Sequence, residues 1–402
     1  MAVGNPTFPD MHVVAGFRLG TGSAGIKKPG RKDLVIMAFD EDATVAACFT
    51  KNAFCAAPVL VAREHLQQAA PRYLVTNTGN ANAGSGADGL DNARRVCRAL
   101  AEHAGCKPEE ILPYSTGVIG EPLPVDKILT ALPATLCACT EDGWTDAGAG
   151  IMTTDTRPKG ASLRCEIDGH TVTITGISKG AGMIKPNMAT MLAYVATDAS
   201  VAQALLQDML GAGVERSFNR ITVDGDTSTN DAVTLVATGA SGVEITAANC
   251  NLFQQALDAV LIELAQAIIR DGEGATKFVT VEVAGGASVQ ECLKVAYAVA
   301  ESPLVKTALF ASDPNWGRIL AAIGRAGVEN LVVEKVSVKL GDLLIAENGA
   351  RAASYTEAAG QAVMDGEEIL IAIDLGRGDV TETVWTTDLS HEYVTINAEY
   401  RT

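Results

Sequence analysis

Positive charge is scarce in this 402-residue chain, where 31 lysines and arginines face 48 acids and leave a net charge of −17. A field of that sign repels phosphate backbones and anionic lipid, and no local basic patch offsets it, so neither nucleic acid nor a membrane is expected as a partner. No run of eighteen or more apolar residues occurs. The longest apolar segment, 256–269, is interrupted by Asp258, Glu263 and Gln266, so no bilayer span is expected. The first sixteen residues have neither a basic head nor a continuous apolar stretch, which argues against a secretory signal and for the cytoplasm. The nine cysteines form no CxxC pair, a distribution that suits a reducing compartment. The five histidines are far apart and neither HExxH nor GxSxG is present, so no metal, cofactor or hydrolase elbow is expected. What is there is ordinary globular material, 48% hydrophobic and 20% charged, long enough for two or three domains.

Short apolar runs alternate with helical patterns. Leu34–Phe39, Thr44–Thr50, Arg72–Asn77, Thr171–Ile177, Met191–Thr197, Ala232–Thr238 and Lys277–Val283 read as strands. Asp91–Ala104, Val201–Phe218 and Leu252–Arg270 read as helices. Strands also come in consecutive pairs, so this α/β chain is expected to form a layered sandwich rather than a doubly wound parallel sheet. The pattern restarts with a long Ala-rich helix after Ala284-Gly285-Gly286, which sets the expected boundary: 1–284 for a catalytic region, 285–402 for a smaller α/β domain.

Two familiar motifs fail their context. Gly20-Thr-Gly-Ser-Ala-Gly25 spells GxGxxG, but no clear strand precedes it and Pro29-Gly30 follows where a phosphate-binding helix would begin. Asp224, Asp226 and Ser228 imitate the opening of a calcium loop whose glycine and closing glutamate are replaced by Thr229 and Leu235. Ser312 and Asp313, before Pro314, read as caps of the helix starting near Asn315.

Three segments carry chemistry. In 179–192, KGAGMIKPNMATML, glycine and proline breakers lead into a Met-Ala-Thr step that enters a strand, placing Thr190 where a loop meets a rigid element. A threonine beginning a strand is also ordinary β chemistry. In 115–124, STGVIGEPLP, a hydroxyl and a glycine amide at Thr116 and Gly117 sit side by side in what reads as a turn, a pair able to bind an oxyanion or simply a Gly/Pro loop. Asn77–Gly86 reads as a tight loop capped into the following helix.

Together with IMTTDTRPK (151–159), TVDGDTSTND (222–231), RDGEGATK (270–277), SDPNWGR (312–318) and NAEYRT (397–402), these segments resemble, end to end, the ornithine acetyltransferase (glutamate N-acetyltransferase) family of arginine biosynthesis. The resemblance implies an α-β-β-α sandwich of the N-terminal-nucleophile type and self-cleavage between Ala189 and Thr190, giving chains 1–189 and 190–402. It further implies Thr190 as nucleophile, Thr116 and Gly117 as oxyanion hole, and substrate contacts from Thr153, Lys179, Thr190, Glu273, Asn397 and Thr402. The substrates it implies are N-acetylornithine and glutamate, with acetyl-CoA as a further donor in bifunctional members, and the assembly it implies has two of each fragment. The chemistry is coherent by itself. A threonine hydroxyl needs an adjacent base, and cleavage before Thr190 frees an α-amine whose ordinary pKa of about 7.7–8.0 suits that role. Two alternatives remain at this stage, a self-processing aminopeptidase or amidase that passes the acyl group to water, and an uncleaved ligand-binding protein.

Overall fold

The computed structural model describes residues 2–4, 7–27, 29–185 and 191–399. The chain divides into two units. The larger comprises 7–219 and 227–268, the smaller 1–6, 220–226 and 269–402.

The larger unit contains two main sheets. One orders β1 (Phe17–Gly22), β2 (Leu34–Phe39), β4 (Tyr73–Asn80) and β5 (Ile111–Val118) as β1-β2-β4-β5. The other orders β3 (Thr44–Phe49), β6 (Lys159–Ile167), β7 (His170–Lys179), β8 (Leu192–Thr197) and β11 (Ala232–Ala237) as β3-β11-β8-β7-β6. A short ladder joins β9 (Ser200–Val201) to β12 (Glu244–Ile245). The uninterrupted apolar run of β2 follows from burial on both faces. Val35, Met37 and Phe39 point at the second sheet, joining Leu74, Leu112 and Tyr114 against Ile177, Leu192, Tyr194, Ala196 and Val236. Leu34 and Ile36, one residue out of phase, face α2 (Gly86–Ala104) and α3 (Val125–Cys137) through Val96, Leu100, Ile128 and Leu132. Two tyrosines pin sheet to sheet: Tyr114 Oη lies 2.7 Å from Thr234 Oγ1 and Tyr194 Oη 2.7 Å from Thr76 Oγ1.

Helices cover the far side of the second sheet as well. α5 (Gln203–Arg216) satisfies the edge of β3: the Gln203 amide exchanges hydrogen bonds with Val45, and that of Gln207 with Ala47. α6 (Cys250–Arg270) lays Leu264 against Gly176, and Leu264 accepts a bond from Ser178. Among the described helices α6 alone has the length and composition to cross a membrane, yet its Phe253, Leu257, Leu261, Leu264 and Ile268 are buried. Helix, sheet, sheet, helix is therefore the layering of this unit, completed by α1 (Ala57–Gln68) and α4 (Trp144–Gly150).

The smaller unit is built on one mixed sheet of β10 (Ile221–Thr222), β13 (Phe278–Gly286), β14 (Ser337–Leu340), β15 (Leu343–Glu347), β16 (Ala350–Arg351), β17 (Glu368–Asp374) and β18 (Val380–Thr387), ordered β10-β18-β13-β17-β14-β15-β16. Val279, Val281 and Val283 alternate with more exposed residues and pack with Ile369, Ile371 and Ile373 against α7 (Val289–Ala300). α8 (Pro303–Phe310), α9 (Trp316–Gly324), α10 (Glu357–Met364) and α11 (His391–Ala398) complete it.

Several expectations change here. Residue 285 is not where the units divide, because β13 is a central strand of the smaller unit's sheet and the chain passes to that unit at Ile269. The long helix after 286 is two, α7 and α8, separated at Glu301-Ser302, where Ser302 caps α8 ahead of Pro303. Asn315 caps α9, its Oδ1 accepting from Arg318 N at 3.1 Å, while Asp313 accepts from the Asn315 side chain. Gly20 and Gly22 lie within a strand, β1, and a side chain at either would collide with Thr135 of α3, so these glycines serve close packing. The loop read over Asn77–Gly86 is shorter, since β4 continues to Asn80 and α2 begins at Gly86.

Candidate active site

Ser115-Thr116-Gly117 lies inside β5, not in a turn after it. β5 runs parallel to β4, and the register breaks between Gly79 and Asn80, opposite Thr116 and Gly117. Gly117 has φ +136°, and a Cβ there would run into the Gly79 carbonyl carbon and stand 2.5 Å from Asn80 N. Only glycine fits that irregular end of the ladder. The strand is held from its flank, as Ser115 Oγ donates to Asn77 Oδ1 at 2.6 Å and Asn230 Nδ2 donates to the Ser115 carbonyl at 2.9 Å.

Lys179, the last residue of β7, pairs with Leu192, the first residue of β8. Its ammonium is buried and donates to Thr116 Oγ1 at 3.2 Å. With that oxygen accepting, the Thr116 hydroxyl hydrogen is left to point at another acceptor. Behind Lys179 sits Asp155, whose Oδ1 accepts from Lys159 Nζ at 2.5 Å and from Gly180 N at 2.7 Å, while Oδ2 accepts from Thr153 N at 2.9 Å. Burial pushes the Asp155 carboxyl up, but Lys159, Lys179 and these hydrogen bonds outweigh it and hold the group well below the usual carboxylate range. Asp155 thereby ties Thr153 to the turn that follows Lys179.

Because the folded protein binds this proton more weakly than the unfolded chain, Asp155 stabilises the fold fully above its unfolded pKa of about 3.9, and the contribution is lost as pH falls from there toward the folded value. Asp155→Ala is expected to cost about 3–5 kcal/mol at pH 7. Urea titrations of both proteins from pH 7 to pH 3 check this, since the difference between them should shrink below about pH 4. A constant difference across that range contradicts it.

Asp231 is the second buried carboxyl. Burial pushes it well above the ordinary range, against the opposing Met191 amide and Lys179 charge. Its Oδ1 accepts from Met191 N at 2.6 Å.

In the smaller unit, Glu273 is buried and accepts from Asn397 Nδ2 of α11 at 2.7 Å. Nearby, Tyr393 donates to Asp224 at 3.1 Å, and burial together with Asp224, Glu273 and Asp226 pushes its phenol up. The structure thus joins Thr116, Gly117, Lys179 and Thr153 through β5, β7 and Asp155, and separately joins Glu273 to Asn397. Ala189, Thr190 and Thr402 lie outside the described residues. Asp155, Lys159 and Asp231 were missed as individuals. Only the four-residue spacing of Asp155 and Lys159 hinted at a pair, and nothing in the sequence marks an acid as buried.

A sheet-on-sheet core flanked by helices, with a hydroxyl-glycine pair beside a buried lysine, defines an enzyme of the N-terminal-nucleophile fold class. The ArgJ family model matches residues 18–402. Over their full lengths, the chain is 63% identical to an arginine biosynthesis bifunctional protein ArgJ of Pseudomonas fluorescens and 56% identical to one of Psychrobacter arcticus. The crystal structure of the arginine biosynthesis bifunctional protein argJ of Bacillus halodurans is 40% identical, with a TM-score of 0.50, over 52% of this chain and 99% of that one. The chain belongs to the ArgJ family, the arginine-biosynthesis acetyltransferases that its motifs resemble.

Proposed function

We propose that the chain cleaves itself before Thr190 and carries acetyl groups from N-acetylornithine to glutamate on the Thr190 hydroxyl. In maturation, Thr190 Oγ attacks the Ala189 carbonyl carbon, the 189–190 C–N bond breaks to leave an ester, and water releases the Ala189 carboxylate and the Thr190 α-amine. In turnover, that amine takes the hydroxyl proton as Oγ bonds to the acetyl carbon. The proton passes to the ornithine nitrogen as its C–N bond breaks. Glutamate's amine then attacks the acetyl-threonine ester and the hydroxyl is restored. The Lys179–Thr116 bond carries this reading, because an ammonium on Thr116 Oγ1 polarises the hydroxyl toward a developing oxyanion.

Further support comes from the solved relative, nearly all of whose chain is spanned by about half of this one, the share a processed fragment would have. The bifunctional names of the relatives support acetyl-CoA as a second donor to glutamate. Substrate contact is assigned to Thr153, Lys179, Glu273, Asn397 and Thr402 on the motif resemblance, as is an assembly of two of each fragment. Nine free cysteines support a reducing, cytoplasmic location.

Thr116→Ala tests the oxyanion role. It is expected to lower kcat by roughly 10²–10³ while KM for N-acetylornithine changes little, because the contact strengthens in the transition state. Steady-state kinetics decide it, and a rise in KM at constant kcat contradicts the assignment.

A further inference from the structure

The GxGxxG segment fails as a nucleotide motif, yet the residues just after it are fastened to the site. Asp33 is buried, one carboxylate oxygen accepting from Ala24 N at 2.6 Å and the other from Ile26 N at 2.7 Å. Its own amide donates to the Gly22 carbonyl at 3.0 Å, and its carbonyl accepts from Thr78 N at 2.9 Å. Lys32 pairs with Asp146 of α4 at 2.6 Å. Residues 32 and 33 are thus tied to β1, β4 and α4, which fixes where Arg31 stands.

Arg31 reaches the chain that follows α4. Its Nη2 donates to the Met152 carbonyl at 2.7 Å and to that of Thr153 at 3.4 Å. Thr153 is the residue whose amide Asp155 holds. A guanidinium carries five N–H donors, two of them on Nη2. The three on Nε and Nη1 make no hydrogen bond among the described residues, and no carboxylate there pairs with the group. Arg31 is exposed, so a dissolved ligand can meet these donors.

The neighbouring cations are committed. Lys159 serves Asp155, Lys32 serves Asp146, and Lys179, only 4% exposed, donates to Thr116. N-acetylornithine and glutamate both carry an α-carboxylate, which the field of a chain of net charge −17 repels unless a local cation outweighs it. A guanidinium is the side chain best suited to a planar carboxylate.

We propose that Arg31 is a substrate-binding residue. Its guanidinium, seated on the Met152 and Thr153 carbonyls, receives the α-carboxylate of N-acetylornithine and then that of glutamate on the donors those carbonyls leave over. The proposal rests on the reading of the chain as an acetyl carrier between these two amino acids.

The test measures kcat and KM of wild type, Arg31→Gln and Arg31→Lys with N-acetylornithine, its α-carboxamide, glutamate and acetyl-CoA, together with thermal unfolding. Arg31→Gln is expected to raise KM for N-acetylornithine and glutamate roughly 10–100-fold, the worth of a charge-assisted hydrogen bond, with kcat little changed. Arg31→Lys keeps the charge without the fork and should recover part of the loss. The wild type should bind the carboxamide more weakly than the acid by a similar factor, and Arg31→Gln should bring the two KM values together. A brace that merely held Met152 and Thr153 in place would instead weaken acid and amide alike, so an unchanged acid-to-amide ratio overturns the proposal. So do wild-type KM values in Arg31→Gln, an effect confined to acetyl-CoA, or failure of either variant to fold. A wild type that transfers no acetyl group from N-acetylornithine to glutamate overturns the reading of the chain, and the proposal with it.

Discussion

Thr190→Ala is expected to yield one intact 402-residue chain without acetyltransferase activity, where the wild type yields pieces of 189 and 213 residues. Both losses have one cause. Without a side-chain hydroxyl no ester forms at the Ala189 carbonyl, so the chain stays closed, and without the free amine no base exists to activate a nucleophile that is itself missing. The two functions can be separated. Thr190→Ser keeps a hydroxyl and should cleave, so that its two fragments appear on the same gel beside the uncut alanine variant. The fold itself should survive, because the sheets and their flanking helices are assembled from residues outside the 189–190 bond, and near-equal melting temperatures of the alanine variant and the wild type would show it. Fragments from Thr190→Ala, or activity from its uncut chain, contradict the account.

Gly117→Ala is expected to be the most damaging single-methyl change in the larger unit. Its φ of +136° is one that side chains rarely adopt, and the new methyl meets the Gly79 and Asn80 backbone, which cannot rotate aside as a flexible side chain would. A loss of about 3–5 kcal/mol is expected in urea unfolding. Activity should fall further than the folded fraction, since relieving the clash must separate β5 from β4 at the residue adjoining Thr116. By contrast, Gly120→Ala, which meets nothing within 4 Å but also has a positive φ of +82°, should suffer only the conformational part of this cost. Equal stability losses in the two variants would contradict the steric argument at Gly117.

The larger unit's strands were legible because their burial is so regular. Leu34–Phe39 is apolar at every position and proved to be β2 to the residue, buried on both faces between a helix layer and a second sheet. What pattern could not reach was set by contacts distant in sequence. Thr116 and Gly117 read as a turn because glycine usually breaks a strand, whereas here β4 carries its own irregularity opposite them and the strand continues to Val118. The unit division was misplaced because a Gly-rich break marks the end of β13, while the sheet that β13 belongs to is defined by pairing with β17 and β18, some ninety to a hundred residues later. Motif resemblance supplied Lys179 as a substrate contact, but not that its ammonium rests on Thr116 or that Asp155 stands behind it. Those facts depend on β7, β5 and the 151–159 segment converging, and no local spacing encodes that.

The account's central claim is a covalent one, that the acetyl group rests on Thr190 between two substrates, and it is tested most directly by intact mass spectrometry of enzyme quenched within milliseconds of mixing with N-acetylornithine alone. The expected spectrum shows one added acetyl group on the 190–402 fragment and none on 1–189, and a second mixing with glutamate removes it. An unmodified 190–402 fragment under turnover conditions, with intersecting initial-rate lines when both substrates are varied, would contradict the covalent route and leave Thr190 required for cleavage alone.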